Sequence, residues 1–205
     1  MACTEKGEAR SEPVYVQIGR PEPCEARMMR TCISILRGIN VGGHRKISME
    51  QLRECYESLG FNGVRTYIQS GNVVFEHETA DPSEIVDRIR GAIKRSFGLD
   101  VQVIIRTKEE MLSVIKSMPF KGLDQSKVHV TFLSEKPEGF PLKEIDAVRD
   151  GAERFSFSGR EVYLFCPNGY GRSKLSNQFL EKKTEVYATT RNWRTVNALS
   201  ALANG

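Results

Sequence analysis

The sequence predicts an α+β fold built from two ferredoxin-like halves of the βαββαβ type, with antiparallel sheets and helices on one face. Three observations predict it. Residues 31–106 have hydrophobic patterns in the order strand, helix, strand, strand, helix, strand, which is the order of the ferredoxin-like unit. Residues 107–205 contain a second, similar mixture of strands and helices. Two glycine-rich loops, one in each part, share a spaced pattern that indicates an internal duplication.

The chain begins with a segment unlike the rest. Residues 1–28 are rich in Glu and Pro and lack a helical period, which predicts a disordered extension. Within it, residues 14–18 could form a short strand, although nothing beside them supports one. A docking or regulatory tail and a true start at Met28 or Met29 are the alternatives. The predicted division is therefore an extension at 1–28, a first half at 29–106 and a second half at 107–205.

Capping residues mark the elements of the first half. Ser48 begins a capping box, and Gly60 follows that helix as its C-terminal glycine. Pro82 stands in the first turn of the second helix, and Gly98 ends it. A Ser-Gly pair at 70–71 is typical of a hairpin turn. Strands are predicted at residues 31–36, 64–69, 72–76 and 101–105.

The second half begins with a predicted helix that Pro119 ends. A Ser-Gly pair at 158–159 predicts a second hairpin. Ser176 caps one helix, and Thr190 or Asn192 begins the last. Helices are predicted at 108–118, 141–150 and 176–182 and to about residue 203, and strands at 127–133, 154–158 and 161–166.

Composition excludes several classes of protein. The 205 residues are 40% hydrophobic and 27% charged, which is ordinary for a globular chain. No apolar run approaches the roughly 20 residues of a membrane helix, and the start shows no secretory signal. The five cysteines are odd in number and irregularly spaced, and the three histidines are scattered. We therefore expect reduced thiols, a cytoplasmic location, and no metal or other cofactor.

The net charge of +4 is unevenly distributed. Residues 167–205 hold six basic and two acidic residues, and residues 27–46 hold five Arg or Lys and no acid. Each of these basic segments contains a glycine loop. The functional interpretation is an anion-binding surface, and the alternative is a solvated basic surface without a ligand.

The two glycine loops have the sequences RGINVGGHRK (37–46) and PNGYGRSK (167–174). The pattern Asn-x-x-Gly-x-x-Lys-Ile/Leu-Ser occurs at 40–48 and again at 168–176, each time between a strand and a capped helix. Such a loop can direct backbone N–H groups and a lysine at a phosphate. The alternative is that the glycines only form tight turns. The first loop matches neither the P-loop nor the dinucleotide-binding spacing.

Tyr170 and Lys174 imitate the Tyr-x-x-x-Lys pair of short-chain dehydrogenases, in which the lysine lowers the tyrosine pKa. Pro and Gly residues crowd Tyr170, so the helix that such a pair needs is not expected. Arg172 and Arg191 could bind an oxyanion in a bidentate manner. For Trp193 the alternatives are packing in the core and stacking on a base or ring.

Four motifs occur in order along the chain: RGINVGG (37–43), TYIQSGNVVF (66–75), YGRSK (170–174) and TTRNWRT (189–195). Together they resemble the bacterial and archaeal family catalogued as domain of unknown function 1697, from about Met29 to the C-terminus. The resemblance implies a compact α+β protein with two ferredoxin-like halves. It implies no established activity.

Three functional hypotheses follow. The first is binding, with or without processing, of an anionic phosphate-bearing partner such as a nucleotide or nucleic acid, where the halves meet. The second is a small-molecule transferase or hydrolase that uses Tyr170 and Lys174. The third is an interaction module without a ligand. The predicted ligand-binding residues are Arg37, Asn40, Gly42, Gly43, Lys46, Ser70, Asn72, Tyr170, Arg172, Ser173, Lys174, Arg191, Asn192 and Trp193.

Overall fold

The structure is a computed structural model that describes residues 29–41, 46–78 and 81–205. The predicted extension, Gly42 and Gly43 lie outside the described residues. The strands are β1 (Arg30–Leu36), β2 (Asn62–Tyr67), β3 (Asn72–His77), β4 (Val103–Thr107), β5 (Val128–Leu133), β6 (Arg154–Ser158), β7 (Glu161–Phe165) and β8 (Ala188–Asn192). The helices are α1 (Met49–Glu57), α2 (Pro82–Phe97), α3 (Lys108–Lys116), α4 (Leu142–Val148), α5 (Asn177–Thr184) and α6 (Trp193–Asn204).

Two four-stranded antiparallel sheets confirm the predicted fold class. The first has the order β2-β3-β1-β4 and the second β6-β7-β5-β8. Each sheet belongs to a βαββαβ unit, and the two units have the same strand order. The repeated topology is consistent with the expected internal duplication.

The helix ends of the first half follow the capping signals in the sequence. The Ser48 hydroxyl accepts the Gln51 N–H at 3.0 Å, and the Asp81 carboxylate accepts the Ser83 N–H at 2.8 Å. Gly98 ends α2 with φ 68°, a conformation that glycine adopts without steric strain. These local interactions set the lengths of the two helices that cover the outer face of the first sheet.

Helices α3 and α6 differ from the expectation that helices cover one face only. The crossover helices α1 and α2 pack on the outer face of the first sheet, and α4 and α5 on the outer face of the second. In contrast, α3 and α6 lie in a central core between the two sheets. They can do so because each follows the last strand of its unit directly, with Thr107 or Asn192 as the N-cap.

The two units can be matched by the register of their central strands. Ile33 of β1 pairs with Arg106, and Val130 of β5 pairs with Arg191. In topology, α3 therefore completes the first repeat, as α6 completes the second. The domain boundary between residues 106 and 107 stays a prediction.

The match between the two glycine loops does not follow this repeat. The first loop joins β1 to α1, whereas the second joins β7 to α5. The true counterpart of β1–α1 is β5–α4. The interpretation of the two loops as a duplicated pair is therefore wrong in its alignment, although the topological repeat itself is present.

Arg106 connects the two units from within the core. Its side chain is fully buried, and its Nε donates to the Glu161 carboxylate at 2.8 Å. Its terminal nitrogens donate to backbone carbonyls. Burial lowers the pKa of this guanidinium, and the charge of Glu161 opposes that shift. The carbonyls belong to Ile105, Leu133 and Arg160.

Candidate functional site around strand β8

Strand β8 is where the four motif segments meet. It forms an edge of the second sheet, and its residues alternate between the two faces. Arg191 reaches the end of β1, just before the first glycine loop, and the β2–β3 hairpin, while Thr190 faces the second glycine loop. The structure thus brings together segments that are more than a hundred residues apart in the chain.

Arg191 binds protein atoms through all of its N–H groups. It is 9% exposed, and its contacts are 2.7–2.9 Å long. Burial lowers its pKa to about 10, which leaves the side chain charged at neutral pH. A guanidinium has five N–H groups, so none is left over for a ligand. The acceptors are the Asn72 and Thr189 side chains and the carbonyls of Leu36, Ser70 and Thr190.

Arg37 closes the outer edge of β8. Its Nε donates to the Ala188 carbonyl at 3.1 Å, and its Nη2 lies 2.5 Å from the Glu181 carboxylate. The other oxygen of Glu181 accepts the Ala188 N–H at 2.9 Å. Arg37 is partly exposed, but its charge is already paired.

Asn40 holds the first glycine loop in shape. It has φ 54°, a left-handed conformation that Asn tolerates better than most residues. Its side chain accepts the Ile47 N–H and donates to the carbonyls of Ile47 and Gln69. Lys46, which precedes Ile47, is exposed and forms no ion pair with any described residue.

Ser70 and Asn72 build the β2–β3 hairpin. The Asn72 amide donates to the Tyr67 carbonyl at 3.1 Å and to the Ser70 hydroxyl at 2.9 Å. Gly71 lies between them with φ 73°, and a Cβ there would come within 2.6 Å of the Ile39 side chain. The SGN motif is thus explained by close packing of this turn against the first glycine loop.

The second glycine loop is tied to β8 by a chain of hydroxyl groups. Tyr170 donates to Thr190 at 3.0 Å, and Thr190 donates to the Asn177 side chain at 2.6 Å. Because the Thr190 proton points at Asn177, the buried Thr131 hydroxyl must be the donor in its 2.7 Å contact with Thr190. The ring of His129 stacks on Tyr170 with centroids 5.1 Å apart.

The electrostatics of Tyr170 do not favour acid–base chemistry. Burial raises the pKa of its phenol, and its hydrogen bonds with the Thr190 side chain and the Asn177 backbone oppose that rise only in part. Lys174 is exposed and is not among the groups that act on this pKa. A catalytic Tyr-Lys pair requires the lysine to lower the tyrosine pKa, so the geometry gives that hypothesis no support.

Three predicted residues remain around this loop and the start of α6. Ser173 accepts the Leu175 N–H at 3.0 Å, which shapes the loop. Asn192 caps α6 by accepting the Thr195 N–H at 2.8 Å. Trp193 is 6% exposed and packs in the central core, as the packing alternative predicts. Its ring therefore offers no stacking platform.

Arg172 and Lys174 are the side chains of this loop that the fold does not use. Both are exposed, and neither forms an ion pair with a described residue. They stand just before α5, whose second amide, of Gln178, has no partner in the described part of the chain. A helix start of this kind favours an anion.

The residues that sequence reasoning missed are partners of the motifs. Glu181 and Thr190 hold Arg37 and Tyr170, and Arg106 is the counterpart of Arg191. Arg106 could have been found by aligning the strands of the two halves, since each arginine stands just before a helix cap. Thr190 lies in the TTRNWRT motif, where the sequence indicates only a helix start, and nothing local marks its contact with Tyr170 or the role of Glu181.

The described residues contain neither a cluster of metal-ligating side chains nor a membrane-spanning helix. They contain no group of three or more His, Cys, Asp or Glu side chains that could hold a metal ion. Within the same ranges, no helix has the length and apolar character needed to cross a bilayer.

A family model described as "Protein of unknown function (DUF1697)" matches residues 29–163. The match includes the first two motifs and ends before the other two. No curated protein matches the chain. Among solved structures, the chain is similar to the conserved bacterial protein SP0830 from Streptococcus pneumoniae. The two share 20% sequence identity with a TM-score of 0.63, over 86% of this chain and 99% of that one. Similarity at this identity shows the fold.

Proposed function

The chain belongs to the family of proteins of unknown function DUF1697, whose name assigns no activity, and from the geometry of its own residues we propose that it binds an anionic phosphate-bearing ligand. A nucleotide or a nucleic acid is the chemical class that fits, with the second glycine loop as the main contact. The first loop, through Lys46, is the second contact. The site would lie at β8, between the two halves.

The observation that carries the proposal is the division between used and unused cations. Arg191 and Arg37 are committed to protein acceptors, whereas Arg172 and Lys174 project from the second loop without partners among the described residues. The start of α5 adds a favourable dipole at the same place. Phosphate oxygens are the acceptors that such a combination of Arg, Lys and amides prefers.

The hydroxyl chain beneath the loop supports a fixed position for these cations. Tyr170 and Thr190 tie the loop to a sheet strand at 3.0 Å, so little ordering of the backbone would be needed on binding. A preordered loop loses less conformational entropy when a ligand arrives. This is a reason to expect specific binding at this loop.

Thermal unfolding in the presence of nucleotides, sugar phosphates and inorganic phosphate tests the proposal. A ligand at 100 times its Kd adds about 2.7 kcal/mol to the free energy of unfolding, which raises Tm measurably. For nucleic acid, fluorescence anisotropy should show a log affinity that falls with log salt, at a slope of about −0.9 per phosphate neutralised on duplex DNA.

The variant Arg172→Ala/Lys174→Ala should abolish the Tm shift or the binding. The matched control is Lys116→Ala/Lys121→Ala, which removes the same charge from two exposed residues that form no ion pair with described residues. Equal loss in both variants would reduce the effect to net charge. No response to any phosphate compound or nucleic acid would leave the interaction module as the better hypothesis.

A further inference from the structure

The edge strands β4 and β8 differ in how many of their outward backbone N–H and carbonyl groups are hydrogen-bonded to described residues. In an antiparallel pair, alternate residues direct both backbone groups at the partner strand, and the others direct them away. The Arg37 N–H donates to Gln102, and the Ser134 N–H donates to Tyr187. This alternation places the backbone groups of Ala188 on the outer edge of β8.

On the edge of β8, side chains cover three of the four outward backbone groups of Ala188 and Thr190. The Ala188 N–H donates to Glu181, and its carbonyl accepts from Arg37. The carbonyl of Thr190 is covered by Arg191. Sheet edges with unpaired backbone groups readily take up another strand, and these side chains prevent that here.

The edge of β4 is open at the equivalent position. Val103 pairs with Leu36 as Ala188 pairs with Leu133, so Val103 is the counterpart of Ala188. No described residue bonds to the outward N–H or carbonyl of Val103, or to the outward N–H of Ile105. Only the Ile105 carbonyl is covered, by Arg106. Three backbone groups thus remain without a partner among the described residues.

These groups lie in a cleft of about 380 Å³ beside the edge. Pro82 and Val86 of α2 form one wall, and Glu135 and Tyr187 of the second half form the other. Tyr187 is 52% exposed, so its ring is accessible from the cleft. The cleft gives an added strand apolar contacts as well as hydrogen bonds.

We propose that residues 14–18 of the same chain (VYVQI) occupy this cleft as a fifth strand of the first sheet. The segment alternates apolar residues and is rich in β-branched and aromatic side chains, and no similar stretch occurs elsewhere in residues 1–28. Strand addition to an open edge is an established way to bind an extended segment. A folded second copy fits poorly, because its own β4 edge is recessed between the same two walls.

The tether is long enough. The described chain begins at Met29, and Arg30 lies past the Thr107 end of β4, since Cys32 pairs with Thr107. With about 3.3 Å per residue and about 4.8 Å between strands, Arg30 is about 22 Å from the outer edge at Val103. The twelve steps from Ile18 to Arg30 can span about 40 Å. Tethering also gives the segment a high effective concentration at the cleft.

Amide hydrogen exchange of the full-length protein tests the proposal. Val103 and Ile105 should exchange slowly, because their N–H groups donate to the added strand. Val16→Pro removes a donor and disfavours the extended pairing, and we expect exchange at these two amides to accelerate at least tenfold. Ala9→Pro, outside the segment, is the matched control and should change neither amide.

A second measurement identifies the occupant. A peptide of residues 12–20 added to the Val16→Pro protein should restore slow exchange at Val103 and Ile105. Fast exchange in the wild-type protein, or slow exchange that Val16→Pro leaves unchanged, would overturn the proposal. Slow exchange that appears only at high protein concentration, together with dimers in sedimentation, would assign the edge to a second copy instead.

Discussion

Arg106 and Arg191 occupy equivalent positions in the two halves, and they have different partners. Each lies one residue before a helix cap, and each donates to the last carbonyl of the opposite half's central strand, that of Leu133 or Leu36. Arg106 also meets a carboxylate, on Glu161. Arg191 meets only neutral acceptors, and burial is the one cause of its lowered pKa.

Asn72, one of the neutral partners of Arg191, also donates hydrogen bonds, which a carboxylate could not do. Asn72 accepts from Arg191 at 2.7 Å and also donates to the Tyr67 carbonyl and the Ser70 hydroxyl. A carboxylate at this position would have no donor for these acceptors. Equivalent positions of the two halves can therefore hold a buried cation either with a counter-charge or with a full set of neutral acceptors.

The largest expected effect distinguishes these two arrangements. Arg106→Met leaves the mostly buried Glu161 without its counter-charge, which should lower the free energy of unfolding by about 3–5 kcal/mol. Arg191→Met leaves neutral acceptors unpaired and should lower it by about 2–3 kcal/mol. Urea unfolding measures both. Arg106→Met/Glu161→Met should recover part of the free energy of unfolding that Arg106→Met loses. Equal losses in the two single variants would contradict the expected difference between a charged and a neutral partner.

The hairpin turns of the two halves should also respond unequally. Gly71 has φ 73° and no room for a Cβ, so Gly71→Ala should lower the free energy of unfolding by about 2–4 kcal/mol. Gly159 has φ 61° with open space around it, and Gly159→Ala should cost only about 1 kcal/mol. Thermal or urea unfolding of the pair gives the difference. Similar values would mean that Ile39 moves aside.

Exchanging the partner types is a finer test. Glu161→Gln keeps an acceptor for Arg106 but removes the charge, so a loss of about 1–2 kcal/mol is expected. Asn72→Asp adds a counter-charge for Arg191 and removes the donor to Tyr67, so the two effects should cancel to within about 1 kcal/mol. Unfolding at pH 7 measures both. A large gain from Asn72→Asp would show that the missing charge, not the amide donor, limits this position.

The smallest effect concerns pH. Burial lowers the pKa of His129 below 6.5, so the unfolded chain takes up a proton more readily than the native protein. His129 makes its full contribution to the free energy of unfolding above pH 6.5, and this contribution falls as the pH falls below 6.5. Its counterpart on β1 is Cys32, whose pKa burial raises to about 11, so that position takes up no proton in this range. His129→Gln should flatten the loss of unfolding free energy below pH 6.5, and an unchanged pH dependence would contradict this.

The fold could be predicted because its signals are local. The caps at Ser48 and Asp81 and the glycine after α2 are readable within a few residues. The role of Arg191 could not be predicted, because its acceptors Leu36 and Asn72 lie 155 and 119 residues away. A short pattern cannot distinguish an arginine that binds a ligand from one that binds distant carbonyls.

The similarity of the two glycine loops also has a local cause. Ser48 and Ser176 both cap a helix, and Ile47 and Leu175 are both buried just before the cap. These requirements recur wherever a loop enters a helix. The aligned asparagines have different partners, since Asn40 donates to the Ile47 carbonyl within its own loop and Asn168 donates to the Asp150 carboxylate. The shared pattern at the end of the two loops is therefore explained by the same local requirement, a buried residue followed by an N-cap serine.

The contacts of Arg191 have a consequence for the order of events during synthesis. The carbonyls of Leu36 and Ser70 belong to the first half, but their donor lies 155 and 121 residues further along the chain. While the ribosome still holds residue 191, the first half has its strands and helices but not the donor that satisfies these carbonyls. The hydrogen bonds of the first half are thus completed only after strand β8 of the second half has been released.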